Sequence, residues 1–223
     1  MKRLIIYCEG DTEESFVNKI LYDYLLSADI YTTPIVHTTK RTSTAKCKGG
    51  VSSYGKIKRE LERLCKGDQT AAITTMFDYY ALPDDTPGIA TASGDIFDKA
   101  KHIEKAIEDD MGGLRNLFFN LIVHEYEGLL FTDTSAFECI VDVNSDTVAK
   151  LQEIKDSFES PEHINNSPTT APSKRIREIV PRYRKPIDGI LIAKHIGINA
   201  ISAQCKHFKN WIDKIVSFEG RLP

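Results

Sequence analysis

Two rhythms of apolar and polar residues run along this chain. Residues 3–8 (RLIIYC) form a short continuous apolar run, the pattern of a strand buried on both faces. Residues 12–26 (TEESFVNKILYDYLL) instead place Phe16, Ile20, Leu21 and Tyr24 on one helical stripe. The alternation repeats. Residues 30–38 are rich in β-formers, 53–66 (SYGKIKRELERLCK) are helical, and 71–78 (AAITTMFD) read as a third strand. A charged helix over 95–110 and a fourth strand over 116–123 (NLFFNLIV) follow. Strands separated by helices of this length predict βαβ units and a mostly parallel, four-stranded sheet flanked by helices, an α/β fold.

Beyond about residue 134 the strand pattern fades. Helical periodicity takes over at 146–158, 173–180, 186–196 and 199–217, and the polar stretch SPEHINNSPTTAPS (160–173) predicts a loop. The chain thus divides into an α/β core, residues 1–140, and a helical C-terminal portion, residues 141–223, packed on it. In CKHFKNWIDKIVSF the residues Phe208, Trp211, Ile212 and Ile215 fall on one stripe and are assigned to the core.

Composition narrows the class. Hydrophobic residues make up 41% of the 223, enough for a sizeable core, and no apolar stretch approaches the ~20 residues of a membrane span. The opening MKRLIIYCEG is basic then apolar, but its apolar run is too short for a signal peptide. Five scattered cysteines with no CxxC pair argue for a reducing compartment, the cytoplasm, and against a zinc knuckle. Cys205 reads as a packed thiol rather than a nucleophile.

Charge is distributed in blocks. Residues 36–66 carry nine Lys/Arg against two Asp/Glu and residues 167–223 carry eleven against four, whereas residues 67–166 carry six against twenty. Such blocks are either solvated faces or an acidic, metal-holding centre flanked by basic surfaces.

The carboxylates sort by position. In EGDTEE, Asp11 and Glu14 have the spacing of a capping box, and Glu13 suits a helix first turn. Glu9 has no such role. It closes a buried strand on the rim where open parallel sheets gather ligands, and Gly10 lets the chain turn beside it. The third strand ends likewise at Asp78, and the fourth at His124, followed by Glu125 and Glu127. Three strand ends delivering acids to one rim suit a hard cation, Mg²⁺ or Mn²⁺. Walker A and dinucleotide fingerprints are absent, and HEYEG is not the HExxH of a zinc protease.

These residues resemble TOPRIM domains, the metal-binding modules of topoisomerases, primases and OLD-type nucleases. EGDTEE resembles the strand-one glutamate of that family and FDYYALP its DxD pair. EGDTEESFV, FDYYALPDD, HEYEGLLFTD, APSKRI and CKHFKNWI together resemble a TOPRIM-like bacterial family of unknown function, often encoded beside an ATPase in a setting reminiscent of antiphage defence. The resemblance spans residue 5 to about 214. It departs at the second acid of DxD, where Tyr80 stands. Glu127, Glu125, Asp84 or Asp85 could replace that ligand, with Glu127 favoured; the structural alternative is that Glu125 caps the helix after strand four.

In APSKRIREIV, Ser173 is a plausible N-cap, and Lys174 and Arg175 occupy a first helical turn, where cations oppose the helix dipole unless an anion binds. Lys185 follows in YRKPIDG, and Lys206 and His207 open the last helix. These residues either pair with the surplus acids or hold phosphate. The resemblance favours Lys174, Arg175, Lys185 and His207 as phosphate or nucleic-acid contacts. It implies Glu9, Asp78 and Glu127 (or Glu125) as the metal and catalytic set of a nuclease acting on DNA or RNA. Its alternative is a catalytically degenerate partner subunit of an ATPase.

Overall fold

The computed structural model describes residues 1–37, 53–165 and 170–218. Residue 38 of the expected second strand, Cys47, residues 38–52 of the basic block 36–66 and residues 166–169 of the expected loop lie outside these.

Strand β1 (Lys2–Cys8) leads into α1 (Asp11–Phe16), which passes through a π-helical turn (Val17–Leu21) into α2 (Tyr22–Leu26). The stripe expected over 12–26 is one helical rod with a wider turn at its middle. Gly10, not Asp11, holds its cap position, with extended backbone, and no side chain there bonds the free N–H groups. The expected capping box is therefore not formed: Asp11 lies inside the first turn, and the Glu13 side chain folds inward. Then follow β2 (Ile30–Val36), α3 (Tyr54–Gly67), β3 (Ala72–Asp78) and α4 (Ile96–Asp110).

The fourth strand is interrupted, as β4 (Leu117–Phe118) and β5 (Leu121–Ile122). The cause is one hydroxyl. Thr75 Oγ1 accepts from the Asn120 N–H at 2.8 Å and donates to the Asn120 carbonyl at 2.7 Å, replacing the ladder there with a side chain. The sheet order is β2-β1-β3-β4, with β5 also beside β3, and every pairing is parallel. β1 and β3 are neighbours, with Cys8 opposite Met76.

Period-two alternation sends side chains to two apolar clusters. Leu4, Ile6, Cys8 and Met76 pack on one face against α1, α2 and the C-terminal helices; Tyr7, Ile73 and Phe77 pack on the other against Ile57 and Leu61 of α3 and Ile103 and Ile107 of α4. The C-terminal portion comprises α5 (Ser145–Asp156), α6 (Pro172–Ile179), a π turn (Lys185–Gly189), α7 (Ile190–Ile196), α8 (Ile198–Gln204) and α9 (Lys206–Ser217). The helix expected over 199–217 breaks at Cys205 into two. Phe208, Trp211, Ile212 and Ile215 are core as expected, and the Trp211 indole donates to Thr74 Oγ1 of β3 at 2.9 Å, tying α9 to the sheet. Among the described residues no helix is long and apolar enough to cross a membrane.

Candidate active site

The parallel register puts Glu9 and Asp78 side by side. The Glu9 N–H donates to the Met76 carbonyl at 3.1 Å, continuing the ladder one step past β1. The Glu9 carboxylate then crosses to β3 and accepts from the Asp78 N–H at 3.1 Å. On the other side of Asp78, its Oδ1 accepts from the Tyr126 N–H at 2.9 Å, drawing in the 3₁₀ segment Tyr126–Thr132 that carries Glu127. Four carboxylates meet there: Glu9, Asp78, Glu127 and Glu13.

Among the described residues a single ammonium stands with them. Lys185 Nζ lies 3.0 Å from Glu127 Oε2, 3.3 Å from Asp78 Oδ2 and 3.9 Å from Glu13 Oε1. Local chemistry delivers it. Asp188 accepts from the Arg184 backbone N–H at 2.7 Å and from its guanidinium at 2.8 and 3.2 Å, which closes the π turn and turns Lys185 inward. The Tyr126 hydroxyl donates to the Gly189 carbonyl, and a Cβ at Gly189 would meet the Tyr183 hydroxyl at 2.6 Å, so a larger residue there must displace the buried Tyr183 ring.

Electrostatics follow from burial. Asp78, Glu13 and Glu127 are 6%, 4% and 0% exposed. Burial, with Asp78 and Glu13 alongside, raises the Glu9 carboxyl to about 8. Burial and Asp78 raise Glu13 to about 7, and burial raises Glu127 to about 7 despite Lys185. Asp78 is pushed up by burial and held back by Lys185. For Lys185 burial works towards neutrality, but Asp78, Glu127 and Glu13 outweigh it and keep the ammonium. Among the described residues one positive charge faces four acids, and Glu127 has a further deficit: at a fully buried position, neither of its oxygens has a hydrogen-bond partner besides the Lys185 ammonium 3.0 Å from Oε2.

An all-oxygen, under-neutralised, desolvated set is the chemistry that Mg²⁺ or Mn²⁺ takes. Glu9, Asp78, Glu127 and Glu13 fit such an ion by donor type and by the unpaired oxygens of Glu127. They surround the ammonium here, and among the described residues no three His, Cys, Asp or Glu side chains already stand in a metal-holding arrangement.

The other sequence candidates separate. Glu125 Oε2 accepts from the Ser173 N–H at 2.9 Å. Glu125 does hold the cap position of the 3₁₀ segment after strand four, and its carbonyl accepts from the Gly128 N–H at 2.9 Å, but its side chain makes no bond to that segment. The carboxylate serves the N-terminus of α6 instead, where Ala171 rather than Ser173 holds the cap position. The anion expected at that helix end is thus supplied from within the chain. Arg175 is engaged nearby, its Nε donating to the Thr170 carbonyl at 2.8 Å and its guanidinium lying 5.2 Å from the Phe158 ring centre. Lys174 is exposed in the same turn. Asp85 accepts from the Tyr54 N–H at the start of α3, and Asp84 is exposed, so neither enters the acid cluster. Tyr80, in place of the second acid, packs its ring against His124 at 5.4 Å. Lys185 sits inside the cluster rather than on an open basic surface. His207 is engaged elsewhere, bonding Glu104 Oε1 through Nε2 at 2.9 Å. Burial pushes the Cys205 thiol up to about 12, a packed thiol.

Glu13 escapes a reading by sequence position, whereas Lys185 takes the first of its two expected roles, pairing with surplus acids. Glu13 looks like an ordinary first-turn acid, and only its spacing from Glu9, one helical turn on from the strand end, hints otherwise. Lys185 lies 107 residues from Asp78, and only the tertiary fold joins them.

No curated protein matches this chain. The chain aligns with the C-terminal region of the Burkholderia pseudomallei OLD protein at 16% identity and a TM-score of 0.47, covering 96% of this chain and 97% of that one. The corresponding region of the Xanthomonas campestris pv. campestris OLD protein aligns at 14% identity and a TM-score of 0.42, with the same coverages. A family model described as a domain of unknown function, DUF4276, matches residues 8–216, a span that holds every carboxylate of the cluster and Lys185, and the chain belongs to that family.

Proposed function

We propose that this protein is a divalent-metal-dependent phosphoryl-transfer enzyme, a TOPRIM-type nuclease acting on DNA or RNA. The observation that carries the reading is the meeting of Glu9, Asp78, Glu13 and Glu127 on one rim with too little positive charge among them. Asp78, Glu127 and Glu13 would hold Mg²⁺ or Mn²⁺, which when bound supplies charge stabilisation at the phosphate. Burial and its acidic neighbours raise the Glu9 carboxyl to about 8, so near neutral pH it can hold a proton for a leaving oxygen or take one from water. Asp78 links the two roles, since its N–H orients Glu9 and its Oδ1 positions Tyr126 and hence Glu127.

The test is Mg²⁺- or Mn²⁺-dependent nicking of plasmid, single-stranded DNA and RNA by the wild type, Asp78→Asn and Glu9→Gln, each checked for native folding. Loss of activity with the fold retained supports the proposal; unchanged metal-dependent nicking overturns it.

One observation favours a second reading, the degenerate partner of an ATPase. Lys185 already occupies the centre of the acids, and Tyr80 supplies no second aspartate. Under this reading the chain binds the ATPase and cleaves nothing alone or with it, and its place in an antiphage system is regulatory. Assays with and without a neighbouring ATPase separate the two: cleavage only with the partner makes the chain an effector, and a complex without cleavage makes it a subunit.

A further inference from the structure

A second polar site lies away from the acid cluster and shares no residue with it. Between α4, the broken edge strand β4–β5 and α9 is a cavity of about 330 Å³, within the range of small-ligand sites. Its walls include Lys101, Glu104, Asn120, His207, Asn210 and Lys214.

Asn120 is the unusual member. It sits at the strand break, 5% exposed, with its backbone N–H and carbonyl both taken by Thr75. Its side-chain Nδ2 is buried and has no hydrogen-bond partner among the described residues. A buried amide donor without an acceptor is costly, so this one calls for an acceptor from outside the chain.

Two carboxylates in the same walls are already engaged within the chain. Glu104 Oε1 takes the Leu121 N–H at 2.9 Å as well as His207. Asp213 pairs with Lys209. The donors of Trp211 and Ser217 are also spent, on Thr74 and on the Lys214 carbonyl. What remains is donor-rich: the Asn120 amide inside, and the exposed Lys101 and Lys214 on α4 and α9. Lys214 feels Glu108, whose carboxylate is itself bound to the Phe119 N–H at 2.9 Å. A group with several acceptor oxygens and negative charge matches the Asn120 amide and the two ammonium groups.

We propose that this cavity binds a phosphate group, either free or carried on a small molecule such as a nucleotide, with the Asn120 amide and the Lys101 and Lys214 ammonium groups as its contacts. The site stands independently of the chemistry at Glu9 and Asp78.

The test is calorimetry or ³¹P NMR titration of the full chain in EDTA, so that no metal bridges phosphate to the acid cluster. The probes are inorganic phosphate and a nucleoside 5′-monophosphate. Saturable binding is expected, weakened about tenfold or more by Asn120→Asp, which puts an acceptor where the donor was, and by Lys214→Met. Glu127→Gln is expected to leave it unchanged. Tighter binding of the nucleotide names that ligand; equal binding assigns the phosphate group alone. If Asn120→Asp does not fold, Lys101→Met and Lys214→Met at exposed positions carry the test. No saturable binding of either probe at millimolar concentration, binding indifferent to these variants, or binding lost in Glu127→Gln would each overturn the proposal.

Discussion

Glu162 and Glu127 are both deeply buried glutamates in 3₁₀ segments, and they are solved differently. The Glu162 carboxylate accepts from the His207 and Phe208 N–H groups, each at 2.9 Å, at the N-terminus of α9. Both oxygens are used, and the helix end gains its missing acceptors. Glu127, with still less exposure, has one close ammonium shared with Asp78 and Glu13 and no other hydrogen-bond partner among the described residues. A buried acid with N–H partners is a structural joint. A buried acid beside other acids, short of partners, is a site awaiting positive charge.

The largest effect that could break this contrast is on activity. Asp78→Asn or Glu9→Gln should lower metal-dependent cleavage about 100-fold or more while circular dichroism and melting stay near wild type. A loss of fold instead would class these acids with Glu162. Next is Lys185→Met, which leaves three buried carboxylates without their counter-charge. It should destabilise the metal-free protein by about 3–5 kcal/mol in urea titration, with Mn²⁺ restoring part of the loss. A null effect would make the ion pairs incidental.

Glu162→Ala should cost about 2–4 kcal/mol, since two helix N–H groups lose their acceptor, and Mn²⁺ affinity should not change. Metal dependence on pH sharpens the comparison further. Carboxyls raised from their ordinary 4.5 to about 7–8 bind protons more tightly in the folded chain. Their contribution to stability is full below pH 4.5 and is lost as pH rises through 7–8. Metal-free protein should therefore lose stability over that interval. Mn²⁺ must displace those protons, so its affinity should rise about tenfold per pH unit for each proton released below pH 7. Flat affinity would mean the acids are already ionised. The smallest effect is Thr75→Val, about 1–2 kcal/mol by thermal melting, because it removes the hydroxyl that bridges the broken edge strand.

Much of the fold was legible in the chain. The strands at 2–8 and 72–78 are apolar runs too short for helices, and α3, α4 and α9 carry clear amphipathic stripes. The break between β4 and β5 was not legible: NLFFNLIV reads as one strand, and its interruption depends on a threonine side chain 45 residues away. Of the site, Glu9 and Asp78 stood out because each ends an apolar run without a local structural role, whereas Glu127 was one of four acids that could replace the missing second aspartate, favoured but not separable from Glu125 by position. Glu13 was hidden by a plausible capping pattern. Arg175 and His207 looked free because their partners, the Thr170 carbonyl with the Phe158 ring and Glu104, cannot be read from spacing.

Hydrophobic periodicity, a local property of each segment, was enough to determine an α/β chain whose strands end in acids. The tertiary structure alone decided which acids share a pocket, because parallel register, set by long-range pairing, places Glu9 beside Asp78. It alone brought in Lys185, since the geometry of a π turn aims that side chain and no sequence pattern encodes the aim. It also tied the Glu125 carboxylate to the N-terminus of α6, from where its charge still acts on Asp78 and Glu127, and kept Glu127 fully buried, a choice between two acids two residues apart that composition does not make.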